Sequence, residues 1–217
     1  MSVNLVKGQK VSLSKEAPGL KKIIVGLGWD AVERPSVQQR PSTGGFFGMF
    51  SRALQPEEKT VPDVDCDASA ILLKNGRLEN NKDIVYFANL QHKSGAVWHH
   101  GDNLTGEGDG DDEQIEIDLM RVPREYDRIV IVVNIYSAQA RKQDFGLIEN
   151  AFVRILNGQT FREILRYDLS ENYPGKTAMI FGEIYRYNGE WKFAAIGQGT
   201  NDGSISEIAH RYKKTEN

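Results

Sequence analysis

The sequence predicts an all-β protein, a two-sheet β-sandwich with few short helices and one inserted loop. Three observations carry this. Short β-branched runs recur along the whole chain, turn signals separate them, and helical periodicity is scarce. Lys22–Trp29 (KIIVGLGW) and Arg128–Tyr136 (RIVIVVNIY) are continuous apolar runs, the pattern of strands buried on both faces. Ala68–Leu73 leads into the turn pair Asn75-Gly76. Glu113–Leu119 (EQIEIDL) alternates, which puts Ile115, Ile117 and Leu119 on one face and the acids on the other. Ala151–Leu156 and Glu163–Leu169 are parted by Asn157-Gly158. Ala178–Arg186 and Trp191–Gly197 flank Asn188-Gly189, a hairpin signal because both residues tolerate positive φ. Ser204–Lys213 is a candidate helix, with Ser204 as N-cap and Glu207 three residues on.

At 217 residues and 24.4 kDa the chain suits a single sandwich domain over residues 1–217. Residues 34–62 interrupt the rhythm with four of the seven prolines and an apolar island, Phe46-Phe47-Gly48-Met49-Phe50. That segment reads as an inserted loop, its island docking on another surface. Residues 204–217 read as a C-terminal helix or tail. A single cysteine, Cys66, excludes an intramolecular disulfide framework and a Cys-rich zinc site. The N-terminal residues do not resemble a secretory signal, and no apolar run approaches the roughly 20 residues that span a bilayer. The expectation is a cytoplasmic protein.

The formal net charge of −3 hides a local excess. Between Gly101 and Asp118 lie eight carboxylates and no Lys or Arg, so the rest of the chain carries a formal +5 (−3 with eight negative charges removed). The overall balance gives no case for nucleic acid. The acidic segment, Gly101-Asp102-Asn103-Leu104-Thr105-Gly106-Glu107-Gly108-Asp109-Gly110-Asp111-Asp112-Glu113, alternates glycines with acids. Such a loop can fold tightly and turn several oxygens inward, as the six to eight oxygen ligands of calcium require. A second acidic stretch, Asp63-Val64-Asp65-Cys66-Asp67, would project its carboxylates to one side of an extended backbone, with Cys66 facing the core. Like charges so placed repel, and a hard divalent cation offsets that repulsion. Neither stretch is an EF-hand, whose glycine and terminal glutamate are missing. Nor is either a phosphate cradle, since the acidic segment holds no lysine.

Several of these blocks together resemble the TerD domain family, associated with tellurium resistance and bacterial stress. The resemblance is carried by VSLSKEAPGLKKIIVGLGWD (11–30), DVDCDASAILL (63–73), DIVYFANL (83–90), GDNLTGEGDGDDEQIEIDL (101–119), IYSAQARKQDFGLIENAFVRI (135–155) and YDLSE (167–171). It implies a two-sheet sandwich that binds calcium through acids at one end. Carried over position by position, it implies Asp65, Asp67, Asp102, Asn103, Asp109, Asp111, Asp112 and Glu113 as ligands. Asp30 and Asp83, single acids at strand ends, stand second. The expected function is a calcium-binding module for tellurite and chemical stress that acts through calcium-dependent contacts with other proteins of the same stress system. The alternative is calcium-bridged binding to an anionic membrane surface.

Little in the chain suggests an enzyme. His99 and His100 are adjacent and would face opposite sides of a strand. No G-x-S-x-G elbow or Walker-type loop is present. One cysteine without a resolving partner is poor equipment for reducing tellurite.

Overall fold

A computed structural model describes residues 2–32, 34–35, 59–60, 64–101, 110–169, 171 and 173–213. The strands are β1 (Val3–Leu5), β2 (Lys10–Ser12), β3 (Lys22–Ala31), β4 (Arg34–Pro35), β5 (Lys59–Thr60), β6 (Cys66–Leu73) and β7 (Ile84–Val85). They continue as β8 (Val97–His99), β9 (Glu113–Asp118), β10 (Arg128–Ile135), β11 (Ile148–Asn157), β12 (Glu163–Asp168), β13 (Ala178–Tyr187) and β14 (Glu190–Thr200). Two six-stranded sheets result. The front sheet runs β1-β12-β11-β3-β9-β8 and the back sheet β2-β14-β13-β10-β6-β7. All pairings within these sheets are antiparallel except β1 with β12.

Alternation along each strand builds the core. From the front sheet Ile23, Val25 and Leu27 of β3 face inward with Ile115 and Ile117 of β9. From the back sheet come Cys66, Ala68, Ala70 and Leu72 of β6 and Ile129, Ile131 and Val133 of β10. The opposite parity of the back sheet is also covered. Ile71, Leu73, Val130 and Val132 pack under Ile208 and Ala209 of the helix Ile205–His210. That second layer explains why Ala70–Leu73 of β6 and Ile129–Val133 of β10 read as unbroken apolar runs. The helix starts as expected, Ser204 Oγ accepting from the Glu207 amide at 3.3 Å, while the Glu207 carboxylate takes the Gly203 amide.

Two of the Asn-Gly turns are tight, with positive φ at Asn75 and Gly76 and at Asn188 and Gly189. The third is not. The Asn157 amide bonds to the Arg162 carbonyl, Phe161 takes the positive φ, and the Gly158 amide donates to Lys22 O at 2.9 Å. A two-residue ladder of β4 with β5 closes the base of the segment between them. The island at residues 46–50 lies outside the described residues. Among the described residues no helix is long and apolar enough to cross a membrane.

Candidate functional site

The acidic stretches meet at one end of the sandwich because the first residue of β9 and the first residues of β6 lie together there. Glu113 follows the parity of Ile115 and Ile117 and therefore points between the sheets, not outward with Glu116 and Asp118 as alternation with the other acids suggested. Its carboxylate accepts from the Ala68 amide on the edge of β6. The Ala68 carbonyl takes His99 Nε2 at 3.2 Å. Since His99 Nδ1 accepts from the Gly101 amide at 3.1 Å, the proton sits on Nε2. Both polar groups of one edge residue are thus held by side chains of the facing sheet. His99 is buried and His100 exposed, in line with their opposite directions.

Cys66 marks the centre of this end. It is buried in the core, and its thiol is pushed well up by burial and then by Glu113, Asp67, Asp65 and Asp112. Four candidate acids therefore lie within electrostatic reach of one core atom. Asp67 projects to the outer face of the back sheet and accepts from Asn134 Nδ2 at 3.2 Å. Asp65 continues the ladder through its carbonyl, which accepts from the Tyr136 amide at 2.7 Å, and Arg141 approaches its carboxylate at 3.7 Å.

Asp111 and Asp112 lie instead on the front sheet. Gly26 and Gly28 face outward from β3, and their missing side chains make room. A Cβ on Gly26 would run into the Asp111 carboxylate, and one on Gly28 would meet the Phe152 ring and stand 2.8 Å from the Gly110 carbonyl. Asp111 is pinned there by Arg154 Nε at 2.6 Å and Gln114 Nε2 at 3.1 Å, its side chain fully buried. Asp112 accepts from the Trp29 amide at 2.8 Å. Burial pushes its carboxyl up, against the Trp29 hydrogen bond and with Asp30 and Asp111 adding to the rise. A cleft of about 290 Å³ opens here, lined by Asp30, Asp112, Gly110, Trp29, Asn150, Phe152 and Arg166. Asn150, at positive φ in a β-bulge opposite Trp29, donates to Asp30 at 2.8 Å. Arg166 lies 3.7 Å above the Phe152 ring and pairs with Asp168.

Asp83 stands apart. It precedes β7, whose Ile84 pairs with Ile71, four residues along β6 from Asp67 and roughly 13 Å away at the rise of a strand. Its buried carboxylate takes Tyr126 Oη at 2.9 Å, Lys93 Nζ at 3.1 Å and His92 Nε2 at 3.2 Å. Burial pushes its pKa up, but these three partners more than offset that and hold it below the ordinary value. Asp83 is therefore an anchor of the fold, separate from the acidic end. A lone acid at a strand start carries no sequence signal for this environment.

The same network gives a pH dependence. His92 Nδ1 accepts from the Ser94 amide at 3.2 Å, so the ring is neutral with its proton directed at Asp83. Burial lowers its pKa, and Asp83 offsets only part of that. The unfolded chain then takes up this proton first, near pH 6.5, so stability falls as pH drops from that value to the lower folded pKa. Asp83 has the depressed value of a stabilising acid, and its share is lost further down, as pH falls through its folded pKa. Urea midpoints for wild type and His92→Gln between pH 7.5 and 5.5 test this: wild type should show the steeper loss, and parallel curves would contradict it.

Asp102, Asn103 and Asp109 lie outside the described residues. Of the other candidates, Asp30 and Asp112 share the cleft with Asp111 beside it; Asp65, Asp67 and Glu113 gather around Cys66; Asp83 joins neither. Among the described residues no group of three or more His, Cys, Asp or Glu side chains is arranged to hold a metal. Arg154, Arg166, Asn150 and Asn134 carry no sequence signal, because strand register alone brings them to these acids.

The TerD domain pattern matches residues 1–212 of this chain. The chain belongs to the TerD domain family. It is 49% identical over 212 residues to the stress response protein SCP2 of Bacillus subtilis (strain 168), covering 98% of this chain and 100% of that protein. It is 48% identical over 210 residues to the tellurium resistance protein TerD of Serratia marcescens, covering 96% of each. The solved structure of a telluride resistance protein (TerD) homologue from Streptomyces coelicolor A3(2) shares the fold, with a TM-score of 0.58 at 22% identity over 87% of this chain and 95% of that one.

Proposed function

We propose that this TerD-domain protein is a calcium-binding stress-response module, a binding protein and not an enzyme, whose acidic end changes its contacts with partner proteins when the ion is bound. The observation that carries the reading is the cleft that Asp30, Asp112 and Gly110 line together, with Asp111 beside them. Every acidic or carbonyl group there offers oxygen, the donor calcium and magnesium prefer over softer metals. Asp112 keeps its negative charge at a cost, as the upward push from burial, Asp30 and Asp111 shows. A divalent cation would relieve that cost. The donor chemistry fits calcium, and Asp30 and Asp112 are the described residues that would hold it. Arg154 already balances Asp111, which makes Asp111 a support for the loop as well as a candidate ligand.

Cation binding to the folded state alone stabilises it by about 2.7 kcal/mol at a hundred times Kd. Melting temperature should therefore rise in calcium and rise much less in magnesium, which demands a stricter octahedron and keeps its waters. Equal shifts with both ions, or none with either, would defeat the reading. Association with stress-system proteins should follow the same calcium dependence and vanish in chelator.

A further inference from the structure

The end of the sandwich opposite the acids is built where turns of the front sheet meet. The Gly158 amide of the β11–β12 turn donates to Lys22 O, at the start of β3, and the Leu119 amide after β9 donates to Lys21 O. The length of β3, roughly 30 Å at the rise of a strand, separates this end from Asp30. The two most exposed large apolar side chains among the described residues stand here, Met120 at 72% and Phe161 at 68%. Since β3 lies between β11 and β9, their turns are about 10 Å apart, two strand spacings. Both turns are pinned. The Asn157 carboxamide oxygen accepts from the Gln159 and Thr160 amides, and the Asp118 carboxylate accepts from the Met120 and Arg121 amides. Phe161 sits at a φ of 57°, a conformation disfavoured for a bulky side chain and easier for Asn or Gly. An exposed ring at such a position adds nothing to the core. The surrounding charge is positive. Residues 15–22, 118–124 and 157–162, which form this end, carry Lys15, Lys21, Lys22, Arg121, Arg124 and Arg162 against Glu16 and Asp118, a formal +4 (six minus two). Of these cations only Lys22 has an ion pair among the described residues, with Glu116. The other five are exposed.

We propose that this end docks on an anionic lipid surface without calcium, Phe161 and Met120 entering the headgroup region and the surrounding cations pairing with the lipid charges. Charge complementarity carries the choice of partner. A membrane interface accepts isolated apolar tips without a matching shape, and each Lys or Arg near an anionic leaflet adds attraction. A protein partner, the acidic end of a second copy included, needs a continuous contact of roughly 800 Å² per side. Two separated side chains among cations do not supply its apolar centre. Neutral lipid is disfavoured because it leaves the positive charge unanswered. The acidic end, at the far side of the sandwich, stays turned to solvent in this arrangement. The inference is independent of the calcium reading, and either can fail without the other.

Cosedimentation of the full chain with vesicles, in chelator, tests this. The chain should pellet with equimolar phosphatidylcholine and phosphatidylserine and stay in solution with phosphatidylcholine alone. Binding should weaken as salt rises, because exposed charges are screened. Phe161→Asn removes the ring at a φ that asparagine tolerates, so its melting temperature should equal or exceed that of wild type. Its vesicle affinity should fall on the order of tenfold as the buried ring is lost. Lys21→Gln combined with Arg121→Gln should weaken binding on the order of twentyfold, from about fivefold per cation, and flatten the salt dependence. Binding that appears only with calcium would assign the membrane contact to the acidic end and overturn the proposal. Equal pelleting with both kinds of vesicle, or wild-type affinity in both variants, would overturn it as well. If Phe161→Asn melts well below wild type, the ring serves the fold, and Met120→Gln on the other tip decides: undiminished binding rejects the assignment. Self-association in sedimentation velocity that Phe161→Asn abolishes, without vesicle binding, gives the surface to a second copy instead. No vesicle binding in any condition rejects the proposal outright.

Discussion

Replacing Asp83 with alanine should destabilise the protein by about 3 kcal/mol, because it strands two buried donors, Tyr126 Oη and His92 Nε2. Tyr126 is 0% exposed and His92 1%, so water cannot easily replace the lost acceptor. Lys93, more than half exposed, can turn to solvent and adds little to the loss. The gain in stability on adding calcium should be the same as in wild type. Chemical denaturation with and without calcium measures both quantities. A small cost in stability together with loss of the calcium response would instead make Asp83 a ligand and join it to the acidic end.

Arg154→Met should show the opposite coupling. The methionine keeps much of the packing against Phe152, over whose ring the guanidinium now lies at 5.9 Å. It removes the cation from a carboxylate, Asp111, that is fully buried. Breaking such a pair from one side costs about 3 kcal/mol, less here by the partial exposure of Arg154. Asp111 would then add its charge unopposed to Asp30 and Asp112. Calcium should therefore recover much of the loss, and the variant should bind calcium more tightly than wild type, since the ion replaces a missing positive charge. An identical cost in calcium and in chelator would mean that Asp111 and the cation do not communicate.

Both predictions depend on neighbours that a linear reading does not display. The long strands were legible, because β3, β6 and β10 bury both faces and β9 alternates, and each pattern has a direct counterpart in composition. The short edge strands β1, β2, β7 and β8 were not legible, since two or three residues carry no period. The acidic segment announced itself through its glycines, yet the role of Gly26 and Gly28 did not. In sequence they look like weak points in an apolar strand, and in the fold they leave room for Asp111, Gly110 and Phe152. Glu113 belongs by type with the outward acids of β9, but parity turns it inward to take the Ala68 amide. The pairing of Arg154 with Gly26 across the β3–β11 ladder brings the countercharge to Asp111. Register of that kind is a property of the folded sheet, and so the acids were identifiable while their partners were not.

The central claim is that the acidic end binds calcium selectively, and direct calorimetric titration tests it without any variant. The chain should give a saturable heat with calcium chloride, a much weaker one with magnesium chloride, and none with either after excess chelator. Titrations of calcium and magnesium that coincide, or that show no saturable heat up to millimolar ion, the weak end of the range for calcium modules, would contradict the account.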